Sequence, residues 1–593
     1  MPLVIDGHGF AQYKVQGLTY GEGPMNKRPH AAMRSSSLVA LVALTACAIV
    51  PLQPDVGAKA PNLEGFGRSD MRVTTGSDAA RRLYHSGVLQ AYAFNETEAV
   101  RQFKAALAAD PTCAMCAWGV AWQLGPNINA QERGDLTEAR RYIDYALRQA
   151  QNASARERAL IGAMAARYDV ADRASTVFTP SEVDVCRSAR ASTDANPLDT
   201  AYAERLHALV TAYPDDADIL SLWSEAAMIA IKDDWYDKTS GKALPRIAEM
   251  VDRLEALLKV KPDHTGLNHY LVHAADDASN AARAAAAADR LATLAPGAPH
   301  LVHMPAHIYI RMGRYADAAA RNENALATED VLDEAQKSQG FATSKDWRGH
   351  NTHFLWYAAL MQGRGDAALA AARSMAGRAK RDSAWSEYYR SLPLLTLLRL
   401  ERWDALVAEP LATGEKGMAA VIGQHAHGVA LARLGRLQEA RAVLPLAESG
   451  AAALRAVHAS AGKEDVGIRN VSDAMVARLL AELAAAERLT DEAVAEQARA
   501  VAASKDADRE EPPGLAAGAR LALGDLQLRL GRPADAEATF RADLAALPDS
   551  GWALHGLARA LAAQGKSEEA AAVRARGERA WSQADGLLKT RGS

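Results

Sequence analysis

Aromatic residues make up only 6% of this 593-residue chain. Strand cores draw on aromatic and β-branched side chains, whereas the apolar content here is dominated by Ala and Leu, so the composition argues for an almost entirely helical fold. Charge of one sign is also lacking. With 68 basic against 72 acidic side chains and no long basic tract, the formal net charge of −4 argues against a nucleic-acid binder held by phosphate neutralisation. Cysteine is scarce, at 4 residues. Cys113 and Cys116 form a CxxC, but Ala117 follows where haem attachment needs His, and no second CxxC completes a zinc knuckle. The pair reads as two small buried helix residues, a local disulfide, or a redox or soft-metal pair. Zinc-protease motifs with paired His and Glu are absent.

The conspicuous apolar run, Leu38 to Ala46, is far too short to cross a membrane as a helix. It comes after Lys27, Arg28 and Arg34 and ends at Leu44-Thr45-Ala46-Cys47, which resembles a bacterial lipobox. Residues 1–47 are therefore expected to be an N-terminal extension plus a signal, residues 1–24 an upstream misassigned start, and Cys47 the lipidated residue. An ordinary cleaved signal with an incidental Cys is the alternative. Residues 48–78 are expected to be a tether, and the chain is placed on the periplasmic side of the bacterial envelope, held by a lipid anchor. Export permits disulfides among Cys113, Cys116 and Cys186.

Internal repetition organises the rest of the chain. "GRYADAAARNENAL" from 313, "GRLQEARAVL" from 435, "GRPADAEATFRADLAALP" from 531 and "GKSEEAAAVRA" from 565 are one turn-plus-helix phrase, and "NETEAVRQFKAALAADP" from 95 repeats it. This resembles the tetratricopeptide repeat. Aligning the Gly turns gives unit starts near 265, 299, 349, 387, 421, 517 and 551, with steps 265 to 299, 387 to 421 and 517 to 551 each of 34 residues, the family period. Longer steps indicate insertions, notably 328–349 and 232–245, expected in loops. The resemblance implies an all-α, right-handed superhelical solenoid with a concave side, divided into N-terminal repeats (79–262), His-rich central repeats (263–440) and C-terminal repeats (441–593).

Eight of the 16 histidines lie between 264 and 353. His300, His303 and His307 occupy the second, fifth and ninth places of their unit, which point away from the packed stripe because each helical residue turns the chain by about 100°. In the tetratricopeptide family these places line the concave groove. His269 and His273 are fifth and ninth in the preceding unit; His350, His353 and Tyr357 are second, fifth and ninth in the next one. His425 and His555 are fifth in theirs, and Glu225 is ninth if a unit begins near 217. Neighbouring first helices lie about 8–10 Å apart, so imidazoles from adjacent units can reach one ion. Metal ligands are thus expected at His269, His273, His300, His303, His307, His350 and His353, with Asp276, Asp277, Arg311, Tyr357, Glu225 and His425 supporting them or binding substrate. Neutral imidazoles suit zinc, copper or iron. Trp118 and Trp122, four apart and succeeded by Asn127 and Asn129, read as packing or as one wall of the same cavity.

"LGPNIN", "HTGLNHYLVHA", "HMPAHIYIRMGRY", "HNTHFLWYAALMQGR" and "GWALHGLARALAAQG" together are similar to a bacterial family of exported tetratricopeptide-repeat proteins. That resemblance implies a fold and no reaction. The sequence thus supports two expectations: a solenoid that binds a transition metal in its groove, with a metalloenzyme as its catalytic form, or a scaffold whose groove holds a peptide or protein partner.

Overall fold

The computed structural model describes residues 52–586 apart from 130–132, 171–195, 232–234, 238–239, 278, 345, 381–383, 411–416, 461–465, 505–510 and 514–517. Cys47, Cys186 and the signal-like segment lie outside the described residues. Regular structure among the described residues is helical, apart from an isolated bridge between Tyr236 and Ala243. No described helix is long and apolar enough to cross a membrane.

The helices pair in sequence as antiparallel hairpins, each packed on the next, so the chain is an all-helical solenoid of helix hairpins. The Gly that opens each repeat phrase explains the turns. Gly313, Gly363, Gly435, Gly531 and Gly565 have φ between 71° and 75°, the left-handed conformation that ends a helix without Cβ strain. The small residues just after them, among them Ala318, Ala368, Ala440 and Ala536, are fully buried and let second helices approach closely. The first helices Thr265–Ala274, Arg348–Met361, Met418–Arg433 and Gly551–Ala563 begin within a few residues of the starts read from the turns. In the unit from 299 the first helix breaks into Pro299–His303 and Pro305–Arg311, because Pro305 offers no N–H to the preceding turn.

Three features differ from expectation. The long step from 421 to 517 contains a further hairpin, Val466–Ala486 with Thr490–Ala503. Its turn places Arg488 rather than Gly at positive φ (63°), so aligning glycines passes over it. Residues 328–338, expected in a loop, extend the helix Tyr315–Ser338, since nothing before Gly340 (φ 81°) breaks it.

The third difference is the segment expected as a tether. From Pro61 to Thr74 it is a strap laid along one edge of the stack. Gln102 donates to Pro61 O at 2.7 Å, Asn62 N to Gln339 at 2.8 Å, Gly297 N to Gly65 O at 2.8 Å, Ser69 to Asp218 at 2.7 Å and Thr74 N to Glu157 at 2.6 Å. Arg68 and Thr265 exchange bonds of 2.7 and 2.9 Å. The other end of the chain also folds back. Trp552 and Trp581 donate to Leu360 O and Met361 O at 2.9 and 3.1 Å, and Asp585 N reaches Gly363 O at 3.0 Å.

Gly67 fixes the strap at its crossing of Thr265: its φ is 95°, and a Cβ would collide with the Thr265 hydroxyl. Gly67→Ala is expected to cost about 1–3 kcal/mol locally and to speed tryptic cleavage at Arg68 and Arg72. Gly76→Ala, where a Cβ meets nothing, should cleave like wild type. Equal rates for all three proteins would show that the strap is not held there.

Candidate metal centre

The fifth and ninth places of the helix Thr265–Ala274 carry His269 and His273, and those of the broken helix from 299 carry His303 and His307. Intervals of four residues bring each pair onto one helix face. His300 leans back toward the first pair and His350, from Arg348–Met361, toward the second, giving two groups: His269, His273 and His300, and His303, His307 and His350. Within the first, His269 Nε2 is 3.0 Å from His273 Nε2 and 3.1 Å from His300 Nε2. Within the second, His303 Nε2 and His307 Nε2 are 3.0 Å apart.

These faces do not line an open groove. His269, His273, His300, His303 and His307 are all buried, and His350 is half-buried. Phe94, at the turn between Asp78–Tyr92 and Glu96–Ala109, stacks on His300 and His273 with ring centres 5.0 and 5.5 Å apart. Trp347 covers the other side of His300 at 4.3 Å, and Phe354 lies 4.4 Å from His307. The superhelix has closed over the place where a ligand groove was expected.

Hydrogen bonds behind the second group fix its tautomers. Asn322 donates its amide to Ala318 O at 2.8 Å, so its oxygen faces His303 Nδ1 at 2.7 Å and that nitrogen carries the proton. His307 Nδ1 faces carboxylates, Asp276 at 2.7 Å and Glu511 at 3.3 Å, and must likewise donate. Both Nε2 lone pairs therefore point at each other across 3.0 Å. That arrangement requires a shared cation, either an extra proton or a metal ion. Without metal the proton resides on His307: burial pushes this imidazole down, but Asp276 and Glu511 outweigh it and lift it to about 9. His303 is held well below its usual range by burial and by the His307 charge. Burial takes His269 down to about 3, offset in part by a hydrogen bond with the Tyr92 backbone.

The expected supporting residues divide. Asp276 anchors both His307 and Arg311, the latter at 3.0 Å, while Arg311 also faces Glu511 at 3.7 Å. Asp277 instead shapes the turn before Ala281–Leu294, accepting from Ser279 N at 2.9 Å. His353 falls outside both groups, stacked on Trp356 and 3.2 Å from the Tyr388 hydroxyl, and Tyr357 faces Tyr315 and Trp356. Glu225 does sit at the ninth place of Ala217–Ile231, but it accepts from Trp122 at 3.1 Å, with burial lifting its carboxyl to about 7. Tyr270 lies between it and the site, its ring 5.4 Å from that of His269. Trp118 is core, donating to Leu160 O at 3.2 Å. His425 is remote, its Nδ1 2.8 Å from Met475 O. Cys113 and Cys116 form a disulfide at the start of Ala114–Gln123, away from the histidines. Sequence reasoning missed Phe94, Asn322, Trp347 and Glu511. Glu511 arrives from a loop some 200 residues downstream of His307 and carries no repeat register.

No family model and no curated protein matches the chain. Among solved structures it is similar to the APC/C hetero-tetramer Cut9-Hcn1, at 10% identity over 81% of this chain and 90% of that one, with a TM-score of 0.26. It is also similar to the P58(IPK) TPR domain, at 11% identity over 82% and 99%, with a TM-score of 0.22. At such TM-scores the likenesses carry no argument about the site.

His425 isolates the cost of a buried neutral imidazole. Burial holds it at about 3 in the folded chain, against 6.5 when exposed, so below pH 6.5 the unfolded state binds a proton that the folded state refuses. Its contribution to stability is present above pH 6.5 and is lost as pH falls toward 3. Urea unfolding between pH 6.5 and 4.5 should thus show wild type losing about 1.4 kcal/mol per pH unit more than His425→Gln. Parallel pH profiles would mean His425 is protonated in the fold.

Proposed function

We propose that this protein binds a transition-metal ion on His303, His307 and His350. The facing lone pairs of His303 and His307 carry this reading, because the fold spends hydrogen bonds from Asn322 and Asp276 to aim them at one point. A carboxylate behind a ligating imidazole fixes the ring and raises its basicity, the usual outer support of a metal site. The donors are all imidazole, which suits zinc, copper or iron over magnesium or calcium. A bound ion with three protein ligands keeps a further coordination position, and such an ion polarises water or another small oxygen ligand. Asp276 and Glu511 would then hold the Nδ1 proton of His307, and Arg311 would balance their charge. The enzymatic form of the proposal rests on that open position. The alternative, a partner-binding scaffold, draws on the hairpin fold, but the central groove places it would use are buried. An envelope location with a lipid on Cys47 remains part of the proposal, supported by the signal-like segment and by the disulfide between Cys113 and Cys116.

Metal-free full-length protein, exposed in turn to zinc, copper and iron, is expected to retain at least one of them through gel filtration. Asp276→Asn should weaken retention about 10–100-fold, and His303→Gln should empty this site. A folded wild-type chain that retains none of the three metals would sink the proposal.

A further inference from the structure

The two histidine groups are copies of one device. The fifth and ninth places of the unit from 265 join the second place of the unit from 299, giving His269, His273 and His300; one repeat later the same places give His303, His307 and His350. Their shapes agree. Ring centres in the first triad are 4.7, 5.0 and 6.1 Å apart, and the equivalent pairs in the second are 4.9, 4.6 and 5.8 Å apart. Three imidazoles bound tetrahedrally at about 2.0–2.1 Å would put their ring centres about 5 Å apart, so each triangle fits one ion. Each also has its own aromatic cover touching all three rings. Phe94 lies 4.5, 5.5 and 5.0 Å from His269, His273 and His300, and Phe354 lies 4.7, 4.4 and 4.8 Å from His303, His307 and His350.

The device stops sharply on both sides. One repeat later the same places hold His353, Tyr357 and Tyr388, with the Tyr388 hydroxyl 3.2 Å from His353 Nε2. One repeat earlier they hold Ser221, Glu225 and Gly266. Histidine thus fills all three places at two successive repeat boundaries and at neither flanking one.

We infer that the chain holds two metal ions in two equivalent three-histidine centres, one at each of these repeat boundaries. This rests on the metal-binding reading of the second triad and adds the first to it. The repeat displacement sets the spacing: His273 and His307, equivalent rings, are 6.5 Å apart. Ions that share a bridging atom lie about 3.5–4 Å apart, so these centres share no bridging atom and each can hold an ion with the other empty.

The test is metal content per chain. Full-length metal-free protein is loaded with zinc, gel-filtered and analysed by elemental content, and in parallel loaded with cobalt(II), whose visible absorption reports low-coordinate sites. Wild type should carry two ions, His269→Gln and His303→Gln one each with half the cobalt absorption, and the double variant none. Circular dichroism checks each fold, with His300→Gln and His350→Gln replacing any variant that fails to fold. One ion in wild type, lost in His303→Gln but kept in His269→Gln, overturns the centre at His269, His273 and His300 while leaving the proposed function standing. Loss of both ions from either single variant overturns their independence and this inference with it. No ion in wild type ends both proposals.

Discussion

A nitrogen lone pair removed from water must be met by a hydrogen-bond donor or a metal ion, and the histidine cluster of this molecule gathers such lone pairs. His303 and His307 present two of them to each other, with Asn322 and Asp276 holding the rings in place. The surroundings obey that constraint. Phe94 and Phe354 exclude water from the rings, Trp347 closes one side, and Asp276, Glu511 and Arg311 form a charge network at the His307 end. Carboxylates and a guanidinium largely withdrawn from water are costly alone and persist because they satisfy each other and the imidazole.

How much of this could be read from the chain depends on whether a feature obeys the repeat. The second, fifth and ninth places of each unit are fixed by helix geometry and a period of 34 residues, so the six clustered histidines and Asp276 were legible. Whether those places face solvent was not legible. That depends on how tightly the superhelix turns, which is the sum of small rotations between hairpins. The same limit hid Phe94 and Glu511, which reach the site from a turn and a loop distant along the chain. His353 misled for a different reason. It occupies the right place in its unit, but the residues that would complete its triad are Tyr357 and Tyr388, and the second of these belongs to the next repeat. A site that spans a repeat boundary has to be read across two units at once.

Glycine turns were a good guide where present and a poor one where another residue takes the left-handed conformation. Arg488 does so in the hairpin of Val466–Ala486 with Thr490–Ala503, and Phe94 does so at the roof of the site, with φ of 63° and 50°. For Phe94 the unusual conformation coincides with a position against three histidine rings. Backbone cost at that turn is offset by the contacts it makes possible.

The strap changes what kind of object the stack is. Repeat arrays held only by neighbour contacts behave as one-dimensional chains, free to fray from either end and to fold unit by unit. Here Asn62, Gly65, Arg68, Ser69 and Thr74 are tied to hairpins spread from Glu157 to Gln339, and the last hairpin is tied back to the turn at Gly363. The strap leaves the ribosome long before most of those partners exist. It can be laced only after the central hairpins are made, since Asn62 must wait for Gln339, 277 residues further on, and once laced it ties together hairpins that a simple repeat array would leave free to separate.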